Sequence, residues 1–262
     1  MSDKTGIGWT DATWNPVTGC SHVSEGCRYC YAEALSLRFG RSTLPWTARN
    51  AAVNVVTHPG RLMQPRKWAE PRRVFVNSMS DLFHELIPTA FLDQVVGVMG
   101  GVDRHIYQVL TKRPARMKEY VWDWVRRAAT GWPRNVWLGT SVENQSTANE
   151  RIPQLQGTPA VTRFLSLEPL LGPVDLSPYM VLPGDCARID WVIVGGESGP
   201  HHRPMRIEWL EQIVTEAQSW GVRVFVKQDS GRFPGKQGRI PDDLFVQEFP
   251  GETPQLSEEV VR

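Results

Sequence analysis

The chain has 262 residues, 41% of them hydrophobic and 11 of them tryptophan, with 29 Lys and Arg against 28 Asp and Glu for a formal charge of +1. That is enough apolar material for one large core, and the near-neutral balance excludes a chain that coats a polyanion over its whole surface. The opening MSDKTGIGWTDATWN has no basic n-region or apolar h-region, and no run nears about 18 apolar residues, so the expectation is a cytoplasmic protein without a membrane span.

In chain order, ATWNPVTGC (12–20) reads as a short strand leading into a loop that carries Cys20, Cys27 and Cys30. Six further apolar runs follow: RRVFVNSMSD (72–81), HIYQVLTKRP (105–114), NVWLGTSVEN (135–144), TRFLSLEPL (162–170), DWVIVGGESG (190–199) and VRVFVKQDSG (222–231). They recur at the spacing of βα units, and several are apolar without alternation, as strands covered on both faces are. Between them, Phe91, Leu92, Val95, Val96 and Met99 form one helical stripe, and Ile207, Leu210, Ile213 and Val214 form another that stops at Gly221. The expectation is an α/β fold whose parallel strands close partly or fully into a barrel, with an open doubly wound sheet as the alternative. One domain covers 1–262, with a core over about 5–230 and a C-terminal extension over 231–262.

Each of the six later runs passes from apolar into polar residues. In parallel α/β folds those C-terminal strand ends form the ligand-binding face. Lys112, Glu168 and Lys227 are the candidate catalytic groups there, and Asn77, Ser78, Asp81, Thr140, Glu143 and Glu197 are candidate contacts for a bound cofactor. Any one of these ends taken alone is equally explained by a strand meeting water. His84 and the pair His201 and His202 read as surface or helix-start residues.

The cysteines admit two assignments. Cys27 and Cys30 in CRYC have a spacing that lets two thiolates face one zinc, which then needs Cys20 and one of Cys186, His22, His201 or His202. Cys186 stands alone in LPGDCARID, without the second C-x-x-C of a zinc ribbon. Three clustered thiols fit better with an iron–sulfur cube that leaves one iron open.

Cys27, Tyr29 and Cys30 match the Cys-x-aromatic-Cys ending that the radical S-adenosylmethionine (SAM) superfamily carries, although six residues separate Cys20 from Cys27 where that superfamily has three. The assembly WTDATWNPVTGC, GCRYCYAEAL, VFVNSMSDLFH, VLTKRP, GTSVENQ, SLEPLLGPV and VIVGGESGP resembles a phage-type three-cysteine branch over about residues 5–230. The resemblance implies a partial (β/α)6-type TIM barrel with the cluster loop after the first strand. It further implies a [4Fe-4S] cluster on Cys20, Cys27 and Cys30, SAM on the open iron with Tyr29 near its adenine, an external electron donor, and radical chemistry on a substrate. Gly195, Gly196 and Glu197 follow the sixth strand instead of the second, so the Gly-Gly-Glu role of the superfamily is not transferred to them; Asn77 to Asp81 occupy the second-strand position.

Basic residues gather at Arg61, Arg66, Lys67, Arg72 and Arg73, and again at Arg203, Arg206, Arg232, Lys236 and Arg239. If both groups meet at the barrel mouth, they form a phosphate-binding rim for DNA or RNA, with Trp46, Trp68 and Phe233 to stack bases; ordinary solvated charge explains them equally well. Trp9, Trp14 and Trp46 flank the cysteine segment and are candidates to shield a cluster. Three functions are therefore carried forward: a radical SAM enzyme on a nucleobase or nucleic acid, one on a small molecule or peptide, and a zinc-stabilised nucleic-acid-binding module without enzymatic activity.

Overall fold

In the computed structural model, residues 5–180 and 187–251 are described; Cys186 and residues 252–262 of the expected extension lie outside them. β1 (Ala12–Trp14) is followed by a long insertion that holds β2 (Val17–Thr18), α1 (Tyr31–Arg38), α2 (Ala51–Asn54) and β3 (Val56–Thr57). Pro16 breaks the first apolar run, so β1 stops at Trp14 and β2 turns away to pair antiparallel with β3. Regular alternation then begins: β4 (Arg73–Val76), α3 (Thr89–Gly101), β5 (Ile106–Thr111), α4 (Pro114–Arg127), β6 (Val136–Ser141), α5 (Gln145–Gln156), β7 (Arg163–Leu167), the short α6 (Ser177–Met180), β8 (Trp191–Gly195), α7 (Ile207–Ser219) and β9 (Arg223–Gln228).

The helices form where the sequence pattern asks for them. α3 buries Phe91, Leu92, Val95, Val96 and Met99, and α7 buries Leu210, Ile213, Val214 and Ala217 before Gly221, at φ 67°, turns the chain into β9. α4 starts on Pro114, and α5 on a capping box in which Asn144 and Thr147 satisfy each other's amides.

The main sheet has seven strands in the order β1-β4-β5-β6-β7-β8-β9, and every pairing is parallel. It is curled into a half-barrel compatible with a partial TIM-like barrel. Phe75 on β4 and Trp191 on β8 show the curl: four strand spacings of a flat sheet would separate them by about 19 Å, yet the Trp9 ring lies 4.6 Å from the first and 6.2 Å from the second. Trp9, Phe75, Trp137, Phe164, Trp191, Ile193 and Phe225 fill the concave side, while the larger apolar core lies between the sheet and its helices.

The segment after β9 completes the sheet. Val226 donates its amide to the Val246 carbonyl at 2.7 Å and Glu248 donates to Val224 at 2.8 Å, so the returning chain covers the edge of β9. Phe249 then packs 5.3 Å from Phe225 and 5.7 Å from Trp191, with the Arg73 guanidinium of β4 3.9 Å above its ring. The core therefore runs past residue 230, as far as Phe249. Among the described residues no helix is long and apolar enough to cross a membrane.

Candidate active site at the strand ends

The cysteine loop is pinned across the C-terminal ends of β1 and β4. Gly19 donates its amide to the Met79 carbonyl at 3.0 Å; its φ is 81°, and a Cβ there would collide with the Asn54 carbonyl, so only glycine lets the chain reach Cys20. Cys27 closes a tight turn over Glu25–Cys27 and Cys30 is the residue before α1. Burial pushes the Cys20 thiol up to about 12, with Asp81 adding to the rise and Arg113 opposing it. Burial also raises Cys30, against the amides of Glu33 and Ala32 and the Lys112 cation. Cys27 raises both neighbours, so the three thiols share one electrostatic environment. Among the described residues no three Cys, His, Asp or Glu side chains group closely enough to hold a single metal ion.

Asp81 and Arg113 tie this loop to β4 and β5. The buried Asp81 carboxylate accepts from Thr111 Oγ1 at 2.7 Å, the Phe83 amide at 2.9 Å and the Lys112 amide at 3.0 Å. Arg113 donates to Asp81 at 3.3 Å, to the Ser21 carbonyl at 3.1 Å, to Glu85 at 2.8 Å and to Cys20 Sγ at 3.5 Å. His84 is buried, contrary to its reading as a surface residue: its Nδ1 accepts the Leu86 amide at 3.2 Å, which leaves Nε2 to donate to Ser21 Oγ at 2.9 Å. Burial is the first cause holding its pKa below the ordinary histidine value, and Arg113 reinforces it.

At the end of β6, Glu143 is all but inaccessible. It takes Lys112 Nζ at 2.5 Å, Arg151 Nη1 at 3.2 Å and Ser24 Oγ at 2.9 Å. Burial alone would raise its carboxyl; Lys112 and Arg151 outweigh that and hold it below the usual range. Gly26 of the cysteine loop rests directly on this carboxylate.

Lys227 and Glu168 pair at 2.6 Å across β9 and β7, with Gln228 donating to the same Glu168 oxygen at 3.3 Å. Glu197 is gripped by Arg203 through the backbone amide, Nε and Nη2 at 2.8, 2.9 and 2.6 Å. Arg203 also donates to the Glu25 carbonyl at 3.0 Å and lies 5.3 Å over the Tyr29 ring, latching the cysteine loop to the end of β8.

The predicted residues thus divide into groups. Cys20 and Asp81 share Arg113, while Lys112 and Glu143 meet beneath the loop. Lys227 with Glu168, and Glu197 beside Tyr29, are separate pairs on the same strand-end face. Thr140 is fully buried, its hydroxyl bound to the Thr111 carbonyl at 3.0 Å. Asn77 takes φ 64°, which ends β4; its Oδ1 accepts the Val17 amide at 3.3 Å and its buried Nδ2 has no protein partner. Ser78 exchanges hydrogen bonds with Asn15, and its carbonyl accepts from Tyr31 at 2.7 Å.

Arg113, Arg151 and Ser24 escaped the sequence reading. Arg113 directly follows the strand-end Lys112, which was its signal; Arg151 lies on a helix and had none. The basic groups do not form one rim. Arg73 opens β4, at the opposite end of the strand from Asn77, and pairs with Asp11 at 2.9 Å. Arg72 stacks over Trp68, which is buried, as is Trp46. Of the three proposed stacking rings Phe233 alone is open to solvent. Trp9 belongs to the aromatic interior of the half-barrel, whereas the Trp46 carbonyl accepts the His22 amide at 3.0 Å and does lie against the cysteine loop.

No curated protein and no solved structure matches the chain. A family of shared sequence does match, and it spans residues 4–253, which takes in the whole half-barrel, the cysteine loop and the returning segment that ends in Phe249. The chain belongs to that family, described as "Protein of unknown function (DUF5131)".

Proposed function

We propose that the protein is a radical SAM enzyme on a partial (β/α)6-type barrel, with Cys20, Cys27 and Cys30 as ligands of a [4Fe-4S] cluster. The observation that carries the reading is the thiol loop following β1 onto the C-terminal face of a parallel half-barrel, beside buried ion pairs. Three soft thiols backed by the Arg113 and Lys112 cations are a donor set suited to iron and sulfide. The unpartnered Asn77 amide is a donor left over for a carboxylate oxygen at the expected cofactor position. When bound, such a cluster supplies the electron that splits the SAM sulfonium into methionine and a 5′-deoxyadenosyl radical.

The remaining roles belong to the chain. Lys112 and Lys227, each steered by a carboxylate, are cations able to orient an anionic group at the strand ends. Tyr29, flanked by Arg28 and Arg203 at 5.4 and 5.3 Å, offers a flat face for an adenine. Glu168 holds the Lys227 Nζ at 2.6 Å and so fixes that cation at the strand-end face. A nucleic acid or nucleobase is the substrate class favoured by Arg206, Arg232 and Lys236 and by the exposed Phe233, all in the segments that follow β8 and β9.

The test is anaerobic reconstitution of the full chain with iron and sulfide. A brown protein absorbing near about 400 nm, an electron paramagnetic resonance signal altered by SAM, and 5′-deoxyadenosine under strong reductant are expected. A colourless zinc protein would overturn the reading. Stimulation of deoxyadenosine release by an oligonucleotide separates a nucleic-acid substrate from a small molecule or peptide.

A further inference from the structure

Helix α1 is inside out. Its inward side chains are small, Ala32 and Ser36, while Leu35 and Leu37, with Phe39 just past its end, face solvent, Phe39 at 60% exposure. A surface helix of a globular protein normally turns its large apolar residues to the core. The same bias runs through the whole insertion: ten of the fifteen exposed large apolar side chains among the described residues lie between Val23 and Met63. Apolar exposure concentrated in one segment is the mark of an interaction surface.

The charge is equally one-sided. Residues 20–67 hold seven Lys and Arg against two Asp and Glu, while the rest of the chain holds 22 against 26. Both acids are already engaged, Glu33 by His22 and the Trp46 amide and the Glu25 carboxylate by Arg203 Nη1 at 3.5 Å. Arg38 and Arg41 lie 5.6 and 5.7 Å over the Phe39 ring, a stacking that leaves guanidinium edges free to meet carboxylates. An apolar centre with a cationic rim is the anatomy of a protein–protein interface. Exposed aliphatic residues such as Leu35 and Leu37 neither stack on bases nor bind phosphate, which favours a protein over a nucleic acid.

We propose that α1 is the docking surface for an acidic one-electron carrier protein. The inference rests on the radical SAM reading above. α1 begins at the residue after Cys30 and is about 12 Å long, so a protein seated on it lies beside the thiol loop. One electron passes from the reduced carrier, which is oxidised, to the cluster held by the thiols, which is reduced.

The experiment uses the full, cluster-loaded chain and a reduced flavodoxin as the acidic carrier, with bleaching near about 400 nm as the readout. Phe39→Ser and the double variant Arg38→Glu/Arg41→Glu are expected to slow carrier-driven reduction about tenfold, and added salt to slow the wild type similarly. Reduction by dithionite, which needs no docking, is expected to stay unchanged. Equal slowing by both reductants, or no slowing with the carrier, overturns the proposal. Flavodoxin binding to the metal-free chain, read by calorimetry, is expected to weaken in the same variants. If no cluster forms yet this binding persists, the enzyme reading falls and the surface stands; if no binding is seen, the surface falls. Displacement of the carrier by a single-stranded oligonucleotide, or a self-association relieved by Phe39→Ser, also overturns it in favour of a nucleic acid or a second copy.

Discussion

Arg113 reaches the Cys20 sulfur at 3.5 Å with the same nitrogen that lies 3.3 Å from the Asp81 carboxylate. One buried guanidinium therefore holds the first thiol of the loop and the end of the second parallel strand together. Arg113→Leu strips Asp81 of its counter-charge in the interior, an expected loss of about 3–5 kcal/mol in urea unfolding. Arg113→Lys keeps the charge without the planar fork and is expected to recover part of that loss. If the leucine variant unfolds at the wild-type urea midpoint, the contact has no structural weight.

Glu143 makes stability depend on acid. Its folded pKa lies below the ordinary 4.5 because Lys112 and Arg151 outweigh burial, so its contribution is complete above about pH 4.5 and is lost as pH falls through the folded value. Glu143→Gln is expected to cost about 3 kcal/mol at neutral pH and to flatten the acid limb of the stability curve. Thermal melts from pH 3 to pH 7 on both proteins measure it; parallel curves would refute the assignment.

Gly26 is a steric requirement. An added Cβ would sit 2.5 Å from Glu143 Cγ, and Glu143 has no free rotamer to escape into while three partners hold it. Gly26→Ala is expected to destabilise by about 1–3 kcal/mol and to open the loop, with faster alkylation of Cys27 by a small thiol reagent. Unchanged alkylation would show that the carboxylate moves aside.

The returning C-terminal segment stabilises the half-barrel. Phe249→Ala removes a ring packed on Trp191 and Phe225 and capped by Arg73; a loss of about 2–3 kcal/mol is expected. A chain ended at residue 230 is expected to melt far lower or not to fold, since it also uncovers β9. A truncated protein with the full melting temperature would return residues 231–251 to the status of an appendage.

The strands were legible because a parallel sheet buried on both faces writes itself as apolar runs, as VWLGTS in β6 and WVIVG in β8 do. The α3 stripe was legible for the same reason, its period matching its buried face. Pairing was not legible. Nothing local tells Lys112 to take Glu143, 31 residues on, or Lys227 to take Glu168, 59 residues back, since partner choice depends on how far the sheet curls. The Arg72 and Arg73 error has a simple cause: they precede β4, and residues before a parallel strand lie at the end away from the site. Inverted α1 was hidden as well, because periodicity shows that a helix has an apolar side without showing which side meets the core.

The hydrogen bond from Ser24 to Glu143 joins residues 119 positions apart. A ribosome adding about 5–20 residues per second needs roughly 6–24 s to bridge that interval. Until then the cysteine loop has neither its carboxylate floor nor the Arg203 latch. The loop is therefore at its most open on the nascent chain, and the finished fold is the form that closes it.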